Sequence, residues 1–219
     1  MDFSGKFITV EGGDGSGKST QIKLIEKLFN DNNFETITTK EPGGTEVGLE
    51  LRKILLTGEK DRWDPISETL LFFTDRRYHL LNKVFPALEN NKIVISDRFA
   101  DSTLAYQHYG YANKLKKEEF DNIYKLSIGD FEPDLTLILD IPVEDGLKRS
   151  YKKSETMIET ELRFENMDLS FHENLRQGFL RIAKDNPKRC VVIDANKSVE
   201  EVKLDIKNKI NEHFGWKLK

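Results

Sequence analysis

The glycine-rich segment from Gly12 to Thr20 constrains the fold of this chain more than any other part of its sequence. It reads Gly-Gly-Asp-Gly-Ser-Gly-Lys-Ser-Thr and fits the P-loop pattern G-x-x-x-x-G-K-[ST]. The preceding Lys6 to Val10 alternates like a strand, and apolar residues follow the loop at helical spacing. A loop between a strand and a helix N-terminus directs backbone N–H groups at a polyphosphate. The segment therefore predicts a site for a nucleoside triphosphate.

Two residues of the loop have individual predicted roles. Lys18 is expected to reach the β- and γ-phosphates, and the Ser19 hydroxyl is expected to bind Mg²⁺. The full set of predicted nucleotide-binding residues is Gly12, Gly13, Asp14, Gly15, Ser16, Gly17, Lys18, Ser19 and Thr20.

An acid and an arginine follow a second apolar strand. Lys92 to Ser96 is too apolar for a half-exposed strand and is typical of a parallel sheet covered on both faces. Asp97 at its end predicts a carboxylate on the Mg²⁺ side of the site. Arg98 can bind a second phosphate, because a guanidinium contacts two phosphate oxygens at once. The alternative is an ion pair that only satisfies the end of the strand.

Strand-like and helix-like segments alternate along the whole chain. This order predicts an α/β fold, a parallel sheet with helices on both faces, in a single domain over residues 1–219. Thr45 is placed to cap one helix that ends near Gly58, and other helices are expected from Pro65 to about Leu81 and from Pro142 through Leu147. The remaining strands are predicted at Glu35 to Thr39, Leu135 to Ile141 and Arg189 to Asp194.

The segment 149–165 is rich in charge and poor in apolar residues. Its cations Arg149, Lys152, Lys153 and Arg163 alternate with glutamates. An exposed, charge-balanced loop is the simplest interpretation. A mobile lid that brings cations over the phosphates after substrate binds is the second, and it suits a phosphoryl-transfer enzyme.

Composition excludes several classes of protein. The net charge of −4 leaves no basic surplus for a nucleic-acid polymer, and the single cysteine, Cys190, excludes a disulfide framework. The longest apolar run, Leu135 to Ile141, is too short to cross a membrane, and no signal peptide is recognised. A cytoplasmic protein is expected.

Together these motifs make the chain resemble the thymidylate kinase family from the first strand to the last helix. The P-loop alone indicates only an NTPase, and the other segments give the specificity. The residues that carry the resemblance are Gly12 to Thr20, Lys40-Glu41-Pro42-Gly43-Gly44-Thr45, Leu71 to Arg77, Asp97-Arg98-Phe99, Asp101 to Gln107, Arg163-Phe164-Glu165 and Asp194-Ala195.

The resemblance implies a P-loop nucleoside-monophosphate kinase with a lid, which transfers phosphate from ATP, with Mg²⁺, to dTMP. Helical periodicity alone favours a core position for Phe72, whereas the resemblance implies that it stacks on thymine while Arg76 reads the base edge. Arg98 and Arg52 would bind the dTMP phosphate, and Glu165 would help to hold Mg²⁺. The implied substrate-binding residues are Asp14 at the 3′-hydroxyl, Tyr106 below the 2′ position, and Lys40, Arg52, Phe72, Arg76, Arg98, Ser102, Thr103 and Gln107.

The chain also departs from the family pattern. Lys40 stands where arginine is usual, and Phe99 where tyrosine is common. Gly15 leaves the P-loop without an arginine, which resembles the bacterial-type members of the family. This resemblance implies that the catalytic arginine comes from the lid, where lysines here replace part of the usual arginine cluster. Arg149 is the first candidate and Lys153 the second. The predicted catalytic residues are Lys18, Arg98, Arg149, Lys153 and Arg163, the predicted metal ligands are Ser19, Asp97 and Glu165, and a homodimer is expected.

Two other functions stay open. One is a kinase for another nucleoside monophosphate or a deoxynucleoside. The other is a nucleotide-dependent switch. Guanine-reading switches use an N-K-x-D segment, and Asn196-Lys197-Ser198-Val199 lacks the acid, which disfavours the switch.

Overall fold

The computed structural model of the chain describes residues 3–154 and 163–219, with the backbone alone at 152–154. Within these ranges five parallel strands form one sheet in the order β2-β3-β1-β4-β5. The strands are β1 Lys6–Glu11, β2 Thr36–Lys40, β3 Ile93–Asp97, β4 Leu135–Asp140 and β5 Cys190–Asp194. The predicted α/β fold is confirmed.

Helices connect the strands, and two of them contain π-helical turns. The π-helical segments are Leu80–Val84 and Leu104–Gly110, each of which continues an α-helix. The α-helices are α1 Lys18–Asp31, α2 Glu46–Leu56, α3 Pro65–His79, α4 Phe85–Glu89, α5 Ala100–Thr103, α6 Lys117–Ile128, α7 Val143–Ser154, α8 Leu169–Asp185 and α9 Val199–Phe214.

Apolar layers cover both faces of the sheet. Ile8 and Val10 of β1 pack with α1 and α9 on one side, while Phe7 packs with α3, α6 and α8 on the other. Successive residues of a strand point to opposite faces, so a parallel strand must be apolar at nearly every position. This explains why β3 and β4 are apolar at most of their positions.

Helix α7 is longer than the sequence analysis predicts. It continues beyond Leu147 to Ser154, because the polar residues that follow include lysine and arginine, which are good helix formers. The beginning of the predicted lid, 149–154, is therefore helical. The rest of that segment up to residue 162 lies outside the described residues.

None of the described helices is both long and apolar enough to cross a bilayer.

A cleft lies at the carboxyl ends of the strands. β1 ends in the P-loop there, and β3 ends at Asp97, directly before Arg98. Ligands bind at this edge of open parallel sheets.

Candidate active site

The P-loop connects β1 to α1, and Lys18 is the first residue of that helix. Lys18 is buried, and its Nζ donates hydrogen bonds of 3.0 Å to the carbonyl oxygens of Gly12 and Gly13. Burial, with the charge of Arg98 beside it, lowers the pKa of Lys18 to about 8. Ser19 and Thr20 are exposed in the first turn of α1, where the helix dipole stabilises an anion.

Gly15 explains why this P-loop has no arginine. The residue has φ of +72°, and a Cβ on it would lie 1.9 Å from the carbonyl oxygen of Gly146 in α7. No side chain fits there without displacing the α7 backbone. Position 15 therefore cannot supply a cation to the site.

Arg98 connects the P-loop to the neighbouring cavity. It has φ of 73°, an uncommon conformation for arginine, and its guanidinium donates to the Gly12 carbonyl, Ser102 Oγ, Asp14 Oδ1 and the Tyr106 hydroxyl, each at 2.9 Å. The hydroxyl of Tyr106 in turn donates to Asp14 Oδ2 at 3.2 Å. The surrounding acids raise the pKa of Arg98 above its ordinary value. Its charge is thus fixed in place.

Glu11 supports Arg98 through Ser102, which contacts both residues. No role for Glu11 is predicted from the sequence. The buried carboxylate accepts hydrogen bonds from the Phe99 backbone N–H at 2.7 Å and from Ser102 Oγ. Burial and the nearby carboxylate of Asp101 raise the pKa of Glu11 to about 8. The sequence signal that could have identified Glu11 is an acid at the end of β1, directly before the P-loop.

The cavity beside Arg98 brings together most of the predicted substrate residues. Lys40 is the exception, because it is exposed at the end of β2 and does not line the wall. Glu165 also reaches the cavity, and Phe164 and Glu41 contribute although no role was predicted for them. The predicted residues that line the cavity are Asp14, Arg52, Phe72, Arg76, Arg98, Ser102, Thr103, Tyr106 and Gln107.

Phe72 and Phe73 are adjacent in α3 but differ in environment. Phe73 is 1% exposed and belongs to the core, whereas Phe72 is half-buried, lines the cavity and tilts against the Phe164 ring with centroids 6.4 Å apart. Phe72 therefore presents an aromatic face to the cavity. Arg52 Nη1 donates to the Pro42 carbonyl at 3.0 Å at the same opening.

Arg76 is held rigidly in the wall of the cavity. Its Nε donates to Glu41 Oε2 at 2.8 Å and its Nη2 to Thr103 Oγ1 at 3.0 Å, and the other Glu41 oxygen lies 2.8 Å from His79 Nδ1. The guanidinium also lies over the Phe73 ring. Arg76 Nη1 is buried without a hydrogen-bond partner in the described residues, so it is a donor available to a ligand.

Gln107 provides a hydrogen-bond acceptor that complements the donor of Arg76. Its Nε2 donates to Glu68 Oε2 at 2.9 Å, while its Oε1 is buried and unpaired within the described part of the chain. Glu68 also forms a buried ion pair with Arg163. Burial raises the pKa of Glu68, and the charge of Arg163 opposes the rise.

Arg163, for which a catalytic role is predicted, is buried, and its guanidinium binds protein groups. The residue is 3% exposed, and besides Glu68 it donates to the carbonyl oxygens of Leu55 and Glu59, both at 3.1 Å. A guanidinium with these partners holds the end of α2 and the start of the following loop. The pattern of alternating charges could not reveal this, because all its partners are distant in sequence.

The other predicted cations are located differently. Arg149 donates to the Ala195 carbonyl at 3.2 Å and to Asn196 Oδ1 at 3.3 Å, so its guanidinium lies on the loop after β5. The side chain of Lys153 falls outside the described residues.

The predicted metal ligands suit a cation that also binds water and substrate phosphates. No group of three or more His, Cys, Asp or Glu side chains in the described residues could hold a metal. Mg²⁺, however, usually binds to one or two carboxylates, water and substrate phosphates. Asp97, at the end of β3, and Glu165, whose pKa burial and Asp14 raise to about 7, are the carboxylates that suit this mode, together with Ser19.

Comparison with known proteins gives a consistent result. The profile of the thymidylate kinase family matches residues 10–206. A thymidylate kinase of Afipia carboxidovorans is 47% identical over 88% of this chain and 82% of that protein, and one of Clostridium novyi is 41% identical over 93% and 97%. The crystal structure of the Ehrlichia chaffeensis thymidylate kinase superposes with a TM-score of 0.72 at 34% identity, over 94% of this chain and 98% of that one.

Proposed function

The chain belongs to the thymidylate kinase family, and on this premise we propose that it transfers the γ-phosphoryl group of ATP to the phosphate of dTMP. The observation that carries the proposal is a pair of buried groups in the cavity wall that have no hydrogen-bond partner among the residues that the structure describes. Arg76 Nη1 is a donor and Gln107 Oε1 is an acceptor. Both lie in the cavity that Arg98 connects to the P-loop.

The thymine base matches this pair. Its 4-carbonyl oxygen accepts a hydrogen bond and its N3–H donates one, so Arg76 and Gln107 would both be satisfied. Cytosine presents an amino group and an unprotonated N3 at the same positions, which would set donor against donor and acceptor against acceptor. A site built to pair buried polar groups rejects a ligand that leaves them unpaired. Phe72 would stack on the face of the base.

The phosphates would be held on the two sides of Arg98. Lys18 and the P-loop N–H groups would bind the triphosphate, and Arg98 and Arg52 the acceptor phosphate. Asp14 is the proposed contact of the 3′-hydroxyl. The acceptor oxygen is already an anion, so the reaction needs alignment and charge neutralisation more than a general base.

Mg²⁺ would be held by Ser19, Asp97 and Glu165, the last through water. Bound there, the ion would neutralise charge on the β- and γ-phosphates. Lys18 and Arg98 then do the positioning on either side of the transferred group.

The additional cation of the reaction is proposed to come from segment 149–165. Arg149 and Lys153 are the candidates, and Arg163 is not, because its buried partners occupy it. If one of them meets the charge of the transition state, its alanine variant should lose at least about tenfold in kcat with little change in KM. The two variants are best measured separately.

The enzyme is proposed to act in the cytoplasm, where ATP is available, and to form a homodimer. Helix α3 packs against α2 and α6, and these helices expose apolar side chains, among them Leu49 at 46%, Leu70 at 49% and Leu126 at 86%. Val47 and Ile54 of α2 are also about two-fifths exposed. A second copy of the chain would cover such a surface. Sedimentation of the wild type and of Leu126→Glu tests this, since only the wild type should dimerise.

Release of ADP in the presence of individual nucleoside monophosphates tests the main proposal. ATP turnover should depend on dTMP, and dCMP, AMP and GMP should be poor acceptors. A strong preference for one of those three would favour a different monophosphate kinase, and turnover independent of any acceptor would refute the kinase assignment.

A further inference from the structure

Glu68 of α3 joins two residues of the site that are far apart in sequence. Its side chain is fully buried, with Oε2 2.9 Å from Gln107 Nε2 and Oε1 paired with Arg163 Nη1. The Tyr111 hydroxyl also interacts with this carboxylate. The reaction proposed above gives Glu68 no role, although a buried carboxylate is expensive unless its interactions compensate for burial.

The pairing fixes the orientation of the Gln107 amide. A carboxylate has no proton to donate, so only the NH₂ end of the amide can face it. The charge of Arg163 favours the ionised form of Glu68. Arg163 in turn cannot rotate away, because the carbonyl oxygens of Leu55 and Glu59 bind its other donors. Gln107 Oε1 is thereby left as the unpaired end of the amide.

We propose that Glu68 is a positioning residue for base selection: it holds the Gln107 amide with its oxygen available in the cavity, so that an acceptable base must bring a donor. This inference rests on the proposed function, because it assumes that a pyrimidine base occupies the cavity. Thymine and uracil carry N3–H and satisfy the oxygen. Cytosine carries a bare N3 and meets an acceptor, unless the amide turns over.

A purely structural role is the competing explanation. Under it, Glu68 only neutralises Arg163 and so anchors the end of α2. Substitutions distinguish the two roles, because Glu68, but not Arg163, contacts Gln107 in the described residues. Glu68→Gln frees the amide of Gln107, since a neutral amide can present either of its ends. Arg163→Lys weakens the carbonyl contacts but keeps a cation beside Glu68 and leaves Gln107 held.

The test measures kcat/KM for dTMP, dCMP and dUMP in the wild type, Glu68→Gln and Arg163→Lys, with thermal unfolding of each. We expect the preference for dTMP over dCMP to fall about tenfold or more in Glu68→Gln. It should stay within about twofold of the wild type in Arg163→Lys. The preference for dTMP over dUMP should not change in either variant, because both bases present the same imide edge.

Two results would overturn the inference: an unchanged dTMP preference in Glu68→Gln, or an equal loss in both variants. If Glu68→Gln does not fold, the double variant Glu68→Gln/Arg163→Gln replaces the buried ion pair by a neutral amide pair and leaves no uncompensated charge. It should show the same narrowed preference, and wild-type selectivity in it would refute the proposal. Failure of the proposed function would be seen separately, as a wild type that does not prefer dTMP over dCMP.

Discussion

Arg98 and Asp14 form an ion pair of 2.9 Å at the boundary between the P-loop and the substrate cavity. The arginine belongs to the segment after β3 and the acid to the loop after β1, two strands that are neighbours in the sheet. The anchor proposed for the acceptor phosphate is therefore attached to the loop proposed for the donor phosphates. The ion pair fixes the positions of these two proposed phosphate sites relative to each other.

Replacement of Arg98 by alanine should weaken dTMP binding much more than ATP binding. The lost group is a charge-assisted contact to the acceptor phosphate, and the expected cost is about 2–4 kcal/mol. Isothermal titration with each nucleotide measures the two affinities. Arg98→Lys is the matched control: it keeps the charge but loses the fork geometry, so its effect should be intermediate. An equal loss of both affinities would contradict the assignment.

Lys18→Ala should lower kcat about 10²–10³-fold, because it removes a preorganised positive charge from the transferred phosphoryl group. Lys18 is buried against two P-loop carbonyl oxygens instead of being exposed as its predicted phosphate contact would suggest. Thermal unfolding must accompany the kinetics for that reason. A folded Lys18→Ala enzyme with nearly normal turnover would remove the P-loop from the mechanism.

The sequence predicted the sheet, the P-loop and most of the cavity, because those depend on local spacing. The prediction places both ends of strand β2 one residue too early. It also ends α7 too early, because the polar residues in the second half of that helix show no apolar periodicity. Lys40, for which the family pattern implies substrate binding, is exposed and does not line the cavity. The elements that the sequence predicts well share one property: their signal is contained in a few consecutive residues.

The supporting residues could not be predicted in the same way. Glu11, Glu68 and Arg163 act through partners that are distant in sequence. Glu68 in α3 and Arg163 in the segment before α8, for example, form a buried ion pair. Charge patterning assigned Arg163 to a solvated lid, whereas its buried carbonyl contacts come from the end of α2. A local pattern records which side chains are charged, and tertiary structure decides what neutralises them.

The stability of the protein should fall as pH rises through neutrality, and Glu11 should be one cause. Its pKa is raised from 4.5 to about 8 in the folded state, so the folded protein keeps a proton that the unfolded chain releases. The resulting stabilisation is complete below pH 4.5 and is lost as pH approaches 8. Between about pH 6 and pH 9 the wild type should lose roughly 1–3 kcal/mol more than Glu11→Gln does. Urea unfolding at both pH values measures this, and parallel losses would exclude Glu11 as the cause.

Tyr106 should exclude ribonucleotides through its ring and not through its hydroxyl. The ring packs edge-on against Phe164 with centroids 5.1 Å apart, and the hydroxyl is engaged by Arg98 and Asp14. Tyr106→Ala should narrow the preference for dTMP over its ribo counterpart by about tenfold, because a packed wall is removed. Tyr106→Phe should keep that preference while weakening phosphate binding. If Phe relaxes the sugar preference as much as Ala does, the exclusion is polar and this reading is wrong.

The neighbours Phe72 and Phe73 give the sharpest test of the cavity, because one chemical change is made at two adjacent positions. Phe73 is buried in the core, so Phe73→Ala should lower the free energy of unfolding by about 3–5 kcal/mol. Phe72 is half-buried at the cavity, so Phe72→Ala should cost mainly dTMP affinity, about 1–3 kcal/mol, as the loss of a stacking surface does. Urea unfolding and dTMP titration on both variants compare the two costs. A large loss of stability with unchanged dTMP affinity in Phe72→Ala would show that Phe72, like its neighbour, serves only the core.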